Sequence, residues 1–259
     1  MLELKGLYKT FNAGTVNEKV AINGLDLSLQ NGDFVTVIGG NGAGKSTMLN
    51  LIAGVFPVDE GIIRLGGYNL TNLPEHKRAR FLGRVFQDPM MGTAATMGIE
   101  ENLALAYRRG KRRGLGAGIT SEERKLYREK LAPLGLGLED RMTSKVGLLS
   151  GGQRQALTLL MATLQKPDLL LLDEHTAALD PKTADKVLQL TEEIVARDNL
   201  TTLMVTHNMK HAIQYGNRLI MMQAGRVVVD IQGEEKKNLK VRDLLEKFNI
   251  ENDRMLLSE

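Results

Sequence analysis

Residues 34–47 have the sequence Phe-Val-Thr-Val-Ile-Gly-Gly-Asn-Gly-Ala-Gly-Lys-Ser-Thr, an apolar run followed by a glycine-rich segment. The run from Phe34 to Ile38 is almost continuously apolar, which is typical of a strand buried on both faces. We expect a helix from about Lys45 to Ala53, because Gly54 is a typical helix end. The stretch therefore predicts a buried strand, a glycine loop and a helix in succession.

The glycine-rich segment carries a phosphate-binding pattern. Gly39 to Ser46 fits G-x-x-x-x-G-K-[ST], in which glycines let backbone N–H groups turn toward phosphate oxygens. The following helix would direct its positive N-terminus at the same place. Lys45 suits the β- and γ-phosphates of a nucleotide, and the Ser46 hydroxyl suits Mg²⁺. The alternative is a glycine-rich turn that binds nothing, and the pattern alone does not separate kinases, GTPases and motor ATPases.

A second candidate site lies at the end of another buried strand. The run Leu169 to Leu172 places Asp173 and Glu174 at the carboxyl edge of a sheet, where ligands of parallel sheets gather. Asp173 is suited to hold Mg²⁺ directly or through water, and Glu174 is suited to polarise an attacking water. The alternative is an acidic pair at the start of the next helix. The phosphate-binding pattern upstream favours the catalytic interpretation.

The composition is that of an ordinary globular chain, with 42% hydrophobic and 25% charged residues among 259. Lysine and arginine total 34 against 31 acidic residues, and this net charge of +3 is too small to indicate a nucleic-acid partner. The chain has no cysteine, which excludes disulfides and thiolate metal sites. No apolar run is long enough to cross a bilayer, so we expect a soluble chain or one that reaches a membrane through a partner.

The remaining pattern predicts an α/β core with an all-helical insert. Alternating apolar and polar residues predict antiparallel strands at Leu2–Leu7 and Ala21–Leu29. Further strands are predicted at Thr201–Val205, Arg218–Met222 and Val227–Asp230. Helices are predicted at Glu100–Tyr107, Ser121–Leu134, Ser150–Gln165, Lys182–Ala196, Met209–Tyr215 and Val241–Phe248.

A third segment resembles the signature motif of one family. Leu149-Ser150-Gly151-Gly152-Gln153 lies between the phosphate-binding pattern and the acidic strand end, and it offers a serine and two glycines at a helix start. Together the three segments resemble the ATPase subunit of the ABC (ATP-binding cassette) family, from about Leu2 to about Asp230. A serine-capped helix after a turn is the alternative for this segment alone.

The resemblance implies an ATP hydrolase with ATP and Mg²⁺ as ligands, and it implies a role for each matching residue. The implied catalytic residues are Glu174, His207, Lys45 and Gln87. The implied nucleotide-binding residues are Phe11, Gly39, Asn41, Gly42, Ala43, Gly44, Lys45, Ser46, Thr47, Gln87, Ser150, Gly151, Gly152 and Asp180. The implied metal ligands are Ser46, Gln87 and Asp173. Tyr8 is the second candidate for the aromatic residue that stacks on adenine, and either aromatic could instead belong to the core.

The resemblance also implies architecture and partners. We expect a P-loop NTPase core with a mainly parallel sheet, an N-terminal antiparallel β-subdomain and an inserted α-helical subdomain. The ATPase domain would span residues 1–232, with the helical insert at about 88–166 and a short charged tail at 233–259. Two copies would sandwich two ATP molecules and drive a separate membrane permease. The chain would then be peripheral, at the cytoplasmic face of the plasma membrane, and indirectly coupled to an extracytoplasmic solute-binding protein.

The whole sequence is similar to ATPases of bacterial importers, some of them linked to aromatic amino acids, so an importer of amino acids or other small organic solutes is expected. The alternative is a soluble ABC ATPase in cofactor assembly or another non-transport role. The sequence departs from the family at His175, where proline is usual, and at Ala156 and Met161, where basic residues are common. The basic cluster Arg108–Arg113 predicts a surface loop, either solvated or near anionic lipid headgroups.

Overall fold

The computed structural model describes residues 1–111 and 118–247. The chain forms two compact units, of which the first comprises Met1–Glu75 with Thr201–Glu259 and the second His76–Leu200. The predicted helical insert at about 88–166 lies inside the second unit. The predicted positions Arg112, Arg113 and Phe248, with the end of the predicted tail, lie outside the described residues.

The strands and helices of the described residues are numbered in chain order. The strands are β1 Leu2–Phe11, β2 Lys19–Leu29, β3 Phe34–Ile38, β4 Glu60–Leu65, β5 Tyr68–Asn69, β6 Leu82–Val85, β7 Leu169–Asp173, β8 Thr202–Val205, β9 Arg218–Gln223 and β10 Arg226–Gln232. The helices are α1 Lys45–Ala53, α2 Glu75–Arg78, α3 Ile99–Tyr107, α4 Ser121–Leu131, α5 Gly151–Thr163, α6 Pro181–Asp198, α7 Met209–Gln214 and α8 Gly233–Asn238. Every predicted strand and helix that lies in the described ranges is confirmed within a few residues.

The first unit contains an antiparallel sheet with strand order β2-β1-β4-β5. Leu2 pairs with Leu29 on one side and with Leu65 on the other. Leu2 and Leu4 of β1 are buried with the period of two, and an irregularity in the pairing with β2 lets Leu7 be buried as well. The predicted N-terminal antiparallel subdomain is confirmed, and β4 and β5 are strands that the sequence pattern did not indicate.

The same unit contains parallel strands around β3, all five residues of which are buried. β3 pairs in parallel with β8 on one side and with β9 on the other, so that Val37 lies opposite Val205 and Ile220. β10 then pairs antiparallel to β9. Because parallel strands end at the same edge, the loops that follow β3 and β8 leave from one side of the sheet.

The second unit contains the parallel pair β6 and β7 and most of the helices. Arg84 on β6 lies opposite Leu171 on β7. Helices α3, α4 and α5 share an apolar core, which is what an independently packed helical insert requires. The fully buried members of this core are Ile99, Leu103, Tyr127, Leu131, Leu138, Val146 and Leu157.

The described part of the basic cluster is tied to protein groups. The Arg108 guanidinium donates to both carboxylate oxygens of Glu123 at 3.0 Å, within a single ion pair. Arg109 donates to the carbonyl oxygens of Ala162 at 3.0 Å and Gln165 at 2.7 Å. Ala162 lies in the last turn of α5 and Gln165 just after its end, so Arg109 satisfies acceptors at the carboxyl end of this helix. Arg108 and Arg109 lie in a turn after α3, as the predicted surface loop requires, and their guanidinium groups bind protein groups of the second unit.

The predicted tail begins as folded structure. α8 belongs to the first unit, and the ammonium of the buried Lys236 donates to the carbonyl oxygens of Tyr215 and Gly216. Burial lowers the pKa of Lys236 to about 8. Leu239 and Leu244 are buried in one apolar cluster with residues of β9 and β10. Residues 241–247 are helical, as predicted.

Candidate functional site

The glycine-rich segment after β3 adopts a backbone that side chains would obstruct. Gly39 has a φ of 150°, and a Cβ atom there would lie 2.3 Å from the carbonyl oxygen of Met222. Gly44 has a φ of 100°, and a Cβ atom there would lie 2.6 Å from the carbonyl oxygen of Ala21. Both distances are far inside van der Waals contact, so only glycine fits at these two positions. Glycine at these two positions allows the loop to turn tightly at both of its ends.

Lys45, the first residue of α1, is buried and folds back over the loop that precedes it. Its Nζ atom donates to the carbonyl oxygens of Gly39 at 2.8 Å and Gly40 at 3.0 Å. These two acceptors hold the ammonium group at the loop instead of leaving it in solvent. The structure therefore positions a cation at the segment for which the sequence predicts phosphate binding.

The N-terminus of α1 has the features that an anion requires. Its N-cap, Gly44, makes no side-chain capping hydrogen bond, and its first turn has no acidic residue. The first N–H groups of a helix have no acceptor within the helix and carry the positive end of its dipole. A phosphate therefore fits here without displacing a capping side chain. The predicted nucleotide-binding residues in this loop and first turn are Gly39, Asn41, Gly42, Ala43, Gly44, Lys45, Ser46 and Thr47.

Phe11 is connected to the glycine loop through Lys19. Phe11 ends β1 and packs edge-on against Phe56, with ring centroids 5.2 Å apart. In the antiparallel ladder Phe11 pairs with Lys19, whose ammonium lies 3.8 Å from the position of a Cβ atom at Gly42. Tyr8, the second aromatic candidate, lies earlier in β1 and is 40% exposed. The first unit thus pairs Phe11 with the residue of the neighbouring strand whose side chain approaches the loop.

His207 lies just beyond the carboxyl end of β8 and is exposed. The N–H of Thr206 donates to the carbonyl oxygen of Val37 at 3.1 Å, which continues the parallel pairing of β8 with β3. Two residues after Val37 the chain enters the glycine loop. Within the first unit, the structure therefore brings His207 to the sheet edge from which the glycine loop leaves.

The acidic pair follows β7 in the second unit. Asp173 ends β7, and a guanidinium nitrogen of Arg84 on β6 lies 3.7 Å from its carboxylate. Glu174 has a φ of 47°, a left-handed conformation that is uncommon for a residue with a side chain. The N–H of Ala177 donates to the Glu174 carbonyl oxygen at 2.9 Å and closes a turn. The predicted position of this pair at a strand end is confirmed.

The start of α5 is capped by its own side chains. Ser150 is the N-cap, and its Oγ accepts a hydrogen bond from the Gln153 N–H at 3.3 Å. The Gln153 side chain accepts in return from the Ser150 N–H at 3.2 Å, which completes a capping box. A Cβ atom at Gly152 would lie 2.2 Å from a methyl carbon of Thr183, whereas one at Gly151 would make only ordinary contacts. Gly152 is therefore needed for close packing of α5 against α6.

Asp180 caps the neighbouring helix α6 through a hydrogen bond from the Thr183 N–H at 3.1 Å. Hydrogen bonds from the Thr183 side chain and backbone hold the pKa of Asp180 below its usual range, so Asp180 is a carboxylate at neutral pH. Gln87 is exposed and follows Phe86, whose carbonyl oxygen accepts from the side chain of Gln155 at 3.2 Å. The second unit thus brings Ser150, Gly152 and Asp180 to the starts of α5 and α6, and holds Gln87 in the loop after β6.

Lys19, Arg84 and Thr183 contact the predicted site residues but carry no motif of their own. Lys19 begins the second strand of the β1–β2 hairpin, and its approach to Gly42 depends on tertiary packing. Arg84 owes its position to the pairing of β6 with β7, which are distant in sequence. No local pattern marks either contact. Thr183 had a detectable signal, because Asp180 followed by Pro181 is a typical helix start with the acceptor three residues before Thr183.

Comparison with known proteins decides the family. The sequence profile described as ABC transporter matches residues 22–177, more than half of the chain. The chain belongs to the ABC transporter family. It is an ATP-binding subunit with the ATPase activity of that family, so the resemblance noted in the sequence is confirmed.

Two relatives illustrate the place of this ABC ATPase within the family. The tyrosine transport ATP-binding protein of Clostridioides difficile is 47% identical over 248 residues, which cover 96% of this chain and 98% of that protein. The methionine import ATP-binding protein MetN 2 of Enterococcus faecalis is 35% identical over 231 residues, which cover 88% of this chain. The ABC ATPase spans 64% of the length of that second relative.

A solved structure supports the same assignment. The dimeric post-hydrolysis structure of an ATP-binding cassette bound to ADP and Pi is 31% identical to this ABC ATPase. The two chains superpose with a TM-score of 0.76, over 90% of this chain and 98% of that one. The predicted fold, a P-loop core with an antiparallel β-subdomain and a helical insert, is confirmed.

The described part of the ABC ATPase has neither a membrane-spanning helix nor a cluster of metal-ligating side chains. In residues 1–111 and 118–247, no helix combines the length and apolar character that crossing a membrane requires. Over the same ranges, no three or more acidic or histidine side chains are grouped as a metal site. The predicted metal ligands Ser46, Gln87 and Asp173 instead offer a hydroxyl, an amide oxygen and a carboxylate. Oxygen donors of this kind fit Mg²⁺, which also keeps waters and substrate phosphates as ligands.

Proposed function

We propose that this ABC ATPase binds Mg-ATP between two copies of itself and uses hydrolysis to drive import of a small organic solute through a separate permease. The ATPase domain in this proposal is residues 1–232, with its helical insert at about 88–166 and a short tail at 233–259. The observation that carries the proposal is the start of α1, where a helix without a capping side chain meets a buried lysine.

The first unit supplies nucleotide binding in this proposal. The loop from Gly39 to Thr47 binds the phosphates through backbone N–H groups, and Lys45 moves its ammonium from the loop carbonyls to the β- and γ-phosphates. Phe11 stacks on adenine. His207, at the carboxyl edge of β8, donates to the γ-phosphate. The lack of a capping side chain at the start of α1 supports this assignment, since phosphate would not compete with such a cap there.

The second unit supplies the chemistry of hydrolysis. Glu174 orients and polarises the attacking water as general base, and Gln87 contacts the same water. Asp173, Ser46 and Gln87 would hold Mg²⁺, which when bound neutralises charge developing on the phosphate oxygens. Arg84, 3.7 Å from the Asp173 carboxylate, orients that carboxylate. The oxygen donors of Asp173, Ser46 and Gln87 suit Mg²⁺, which supports their assignment as metal ligands.

The second copy supplies the residues at the starts of α5 and α6. Ser150, Gly151 and Gly152 bind the γ-phosphate held by the first copy, and Asp180 lies at the contact between the copies. Ser150 can donate its hydroxyl proton to a phosphate while its oxygen still accepts from Gln153. The dimeric state of the related cassette bound to ADP and Pi supports a homodimer here.

Transport is the finer part of the proposal. Gln87 and the helical insert would transmit dimer opening to the permease, and the chain would lie on the cytoplasmic face of the plasma membrane through that contact. An extracytoplasmic solute-binding protein would deliver the solute. The relatives reported above are named for tyrosine transport and methionine import, which favours an amino-acid importer over a cofactor-assembly role.

The test begins with the chain tagged in its own cell and purified from membranes in mild detergent. We expect a multi-span membrane protein to copurify in stoichiometric amount. The complex should hydrolyse ATP, and chelation of Mg²⁺ by EDTA should abolish turnover. Recovery of soluble partners only, with the chain absent from membranes, would contradict the transport proposal.

The identity of the transported solute is tested by measuring uptake of labelled tyrosine and methionine in cells that lack the chain. Uptake of one of them should return with the wild-type chain and not with Glu174→Gln, which should bind Mg-ATP yet lose about 10²- to 10⁴-fold in kcat. Restored uptake with Glu174→Gln would refute the general-base assignment. Uptake of neither amino acid, together with intact ATPase activity, would refute the amino-acid proposal alone.

A further inference from the structure

His175, the residue after Glu174, is buried although the chain around it is on the surface. Its side chain is 2% exposed, whereas Ala177 and Ala178 are exposed. The imidazole lies against α6, where Nε2 is 3.1 Å from the hydroxyl oxygen of Thr191. Thr191 is itself 1% exposed, so this is a hydrogen bond between two buried side chains. Imidazole is rarely fully buried without a specific partner, and here the partner is on α6.

The direction of this hydrogen bond follows from the second contact of Thr191. The Thr191 hydroxyl donates to the carbonyl oxygen of Val187 at 2.7 Å, as helical threonines often do. A hydroxyl has a single proton, so its oxygen must accept from His175. Nε2 of His175 therefore carries a proton and donates it to Thr191. The chain of donors runs from His175 through Thr191 to the backbone of α6.

Glu174 has a backbone conformation that its neighbours must hold. A left-handed conformation is energetically unfavourable for a residue with a side chain and persists only where the surroundings fix it. One constraint is the turn closed by the N–H of Ala177. His175 is a further constraint, because its side chain is held on α6 by Thr191 while its backbone continues directly from Glu174.

We propose that His175 is a positioning residue for the ATPase reaction, which holds Glu174 in its left-handed conformation through the hydrogen bond to Thr191. The imidazole does not touch the reacting atoms. It fixes the peptide that follows Glu174, and so the direction in which the carboxylate leaves the strand end. Misplacement of a general base by about 1 Å can cost about 10²-fold in rate, so a small backbone rotation is enough to matter.

The variants separate the hydrogen bond from burial. Thr191→Val keeps shape and removes the acceptor, and His175→Phe keeps a buried ring and removes the donor. His175→Gln retains an N–H that reaches about as far as Nε2. The matched control is Thr163→Val, because Thr163 is also buried in a helix of the second unit and donates to the carbonyl oxygen four residues before it, at 2.9 Å.

The readouts are kcat, the KM for ATP, the affinity for ATP with Mg²⁺, and the thermal midpoint of unfolding. We expect Thr191→Val and His175→Phe each to lower kcat about 10- to 100-fold with unchanged nucleotide affinity. His175→Gln should recover most of the loss, and Thr163→Val should keep normal kcat. The double variant His175→Phe with Thr191→Val should be no slower than either single variant, since both remove one contact.

The inference rests on the proposed role of Glu174, and Glu174→Gln in the same assay distinguishes the two. If Glu174→Gln is inactive while folded Thr191→Val and His175→Phe have normal kcat, positioning by His175 is refuted and the general base stands. If Glu174→Gln keeps normal turnover, the base assignment fails and the positioning role fails with it. A kcat loss that appears equally in Thr163→Val would also overturn the inference, because it would reflect general destabilisation.

Discussion

The starts of α1 and α5 are built in opposite ways, although we propose phosphate binding at both. The N-cap of α1 is Gly44, which offers no side chain, and Lys45 folds over the loop before it. The N-cap of α5 is Ser150, which closes a capping box with Gln153. The start of α1 therefore has no capping side chain, whereas the start of α5 satisfies two backbone N–H groups with its own side chains.

This difference indicates how the two ends would be used. A helix start without a capping side chain gains the most stabilisation from a bound anion, so α1 is suited to hold ATP in a chain that has not yet dimerised. A capped start is stable without ligand and adds only its hydroxyl proton and its remaining N–H groups when a phosphate arrives. The start of α5 is therefore suited to a contact that forms and breaks in each cycle.

Removal of the Lys45 ammonium should have the largest effect, and it should impair phosphate binding at the start of α1 without changing the start of α5. We expect Lys45→Ala to weaken ATP affinity by about 10- to 100-fold, because hydrogen bonds to charged groups contribute about 1.5–3 kcal/mol. Fluorescent nucleotide titration of the purified chain measures this affinity. Lys5→Ala is the control, since it removes one lysine that pairs with Glu3 on the surface of the same unit. Equal affinity in Lys45→Ala and wild type would contradict the proposed role of α1.

Crowding of the α5 start should have the next largest effect, on stability. Gly152→Ala places a methyl group 2.2 Å from the Thr183 methyl carbon, so we expect a loss of about 1–3 kcal/mol in the free energy of unfolding. Adding Thr183→Ser removes that methyl carbon and should recover much of the loss. Denaturant unfolding of the single and double variants measures both terms.

Gly151→Ala is the matched control for this prediction. The nearest atom to a Cβ at Gly151 is 3.4 Å away, on Leu179. Alanine is favoured over glycine in helices by about 0.5–1 kcal/mol, so this variant should be neutral or stabilised. If Gly151→Ala and Gly152→Ala behave alike, close packing against Thr183 is not what requires glycine at 152.

Removal of the α5 cap should have the smallest effect on folding. We expect Ser150→Ala to lower the free energy of unfolding by about 1 kcal/mol, the usual value for a lost N-cap. ATP affinity of the separate chain should not change, because α1 is intact. Thermal unfolding and nucleotide titration of one preparation give both numbers. A large loss of ATP affinity in Ser150→Ala would mean that both helix starts bind the nucleotide of a single chain.

The sequence predicted those elements whose cause is local. The bounds of β3 and α1 follow from an apolar run, a glycine loop and the helix-ending Gly54, and all are confirmed. The strand β6 was missed because its four residues include Gly83 and Arg84, which break any apolar period. A Cβ at Gly83 would lie 2.6 Å from the carbonyl oxygen of Ala162, so tertiary packing set that residue.

The candidate site likewise contains features that a local motif indicates and features that it does not. The phosphate loop and the acidic strand end are marked by local motifs, so the sequence alone indicates them. Lys19 beside the loop, Arg84 beside Asp173 and the burial of His175 depend on tertiary contacts that no local motif marks. The pattern marked His175 as unusual but gave no indication that its ring is buried against α6.

Mixing two inactive variants tests most directly the central claim, that α1 of one copy and α5 of the other make one ATP site. Lys45→Ala impairs only the phosphate loop, and Ser150→Arg only the signature contact, so each homodimer should hydrolyse little ATP. A mixed dimer would contain one site with both elements intact. We predict that phosphate release from the mixture exceeds the sum of the separate variants. A rate equal to that sum, with mixed dimers demonstrated by two affinity tags, would contradict the claim.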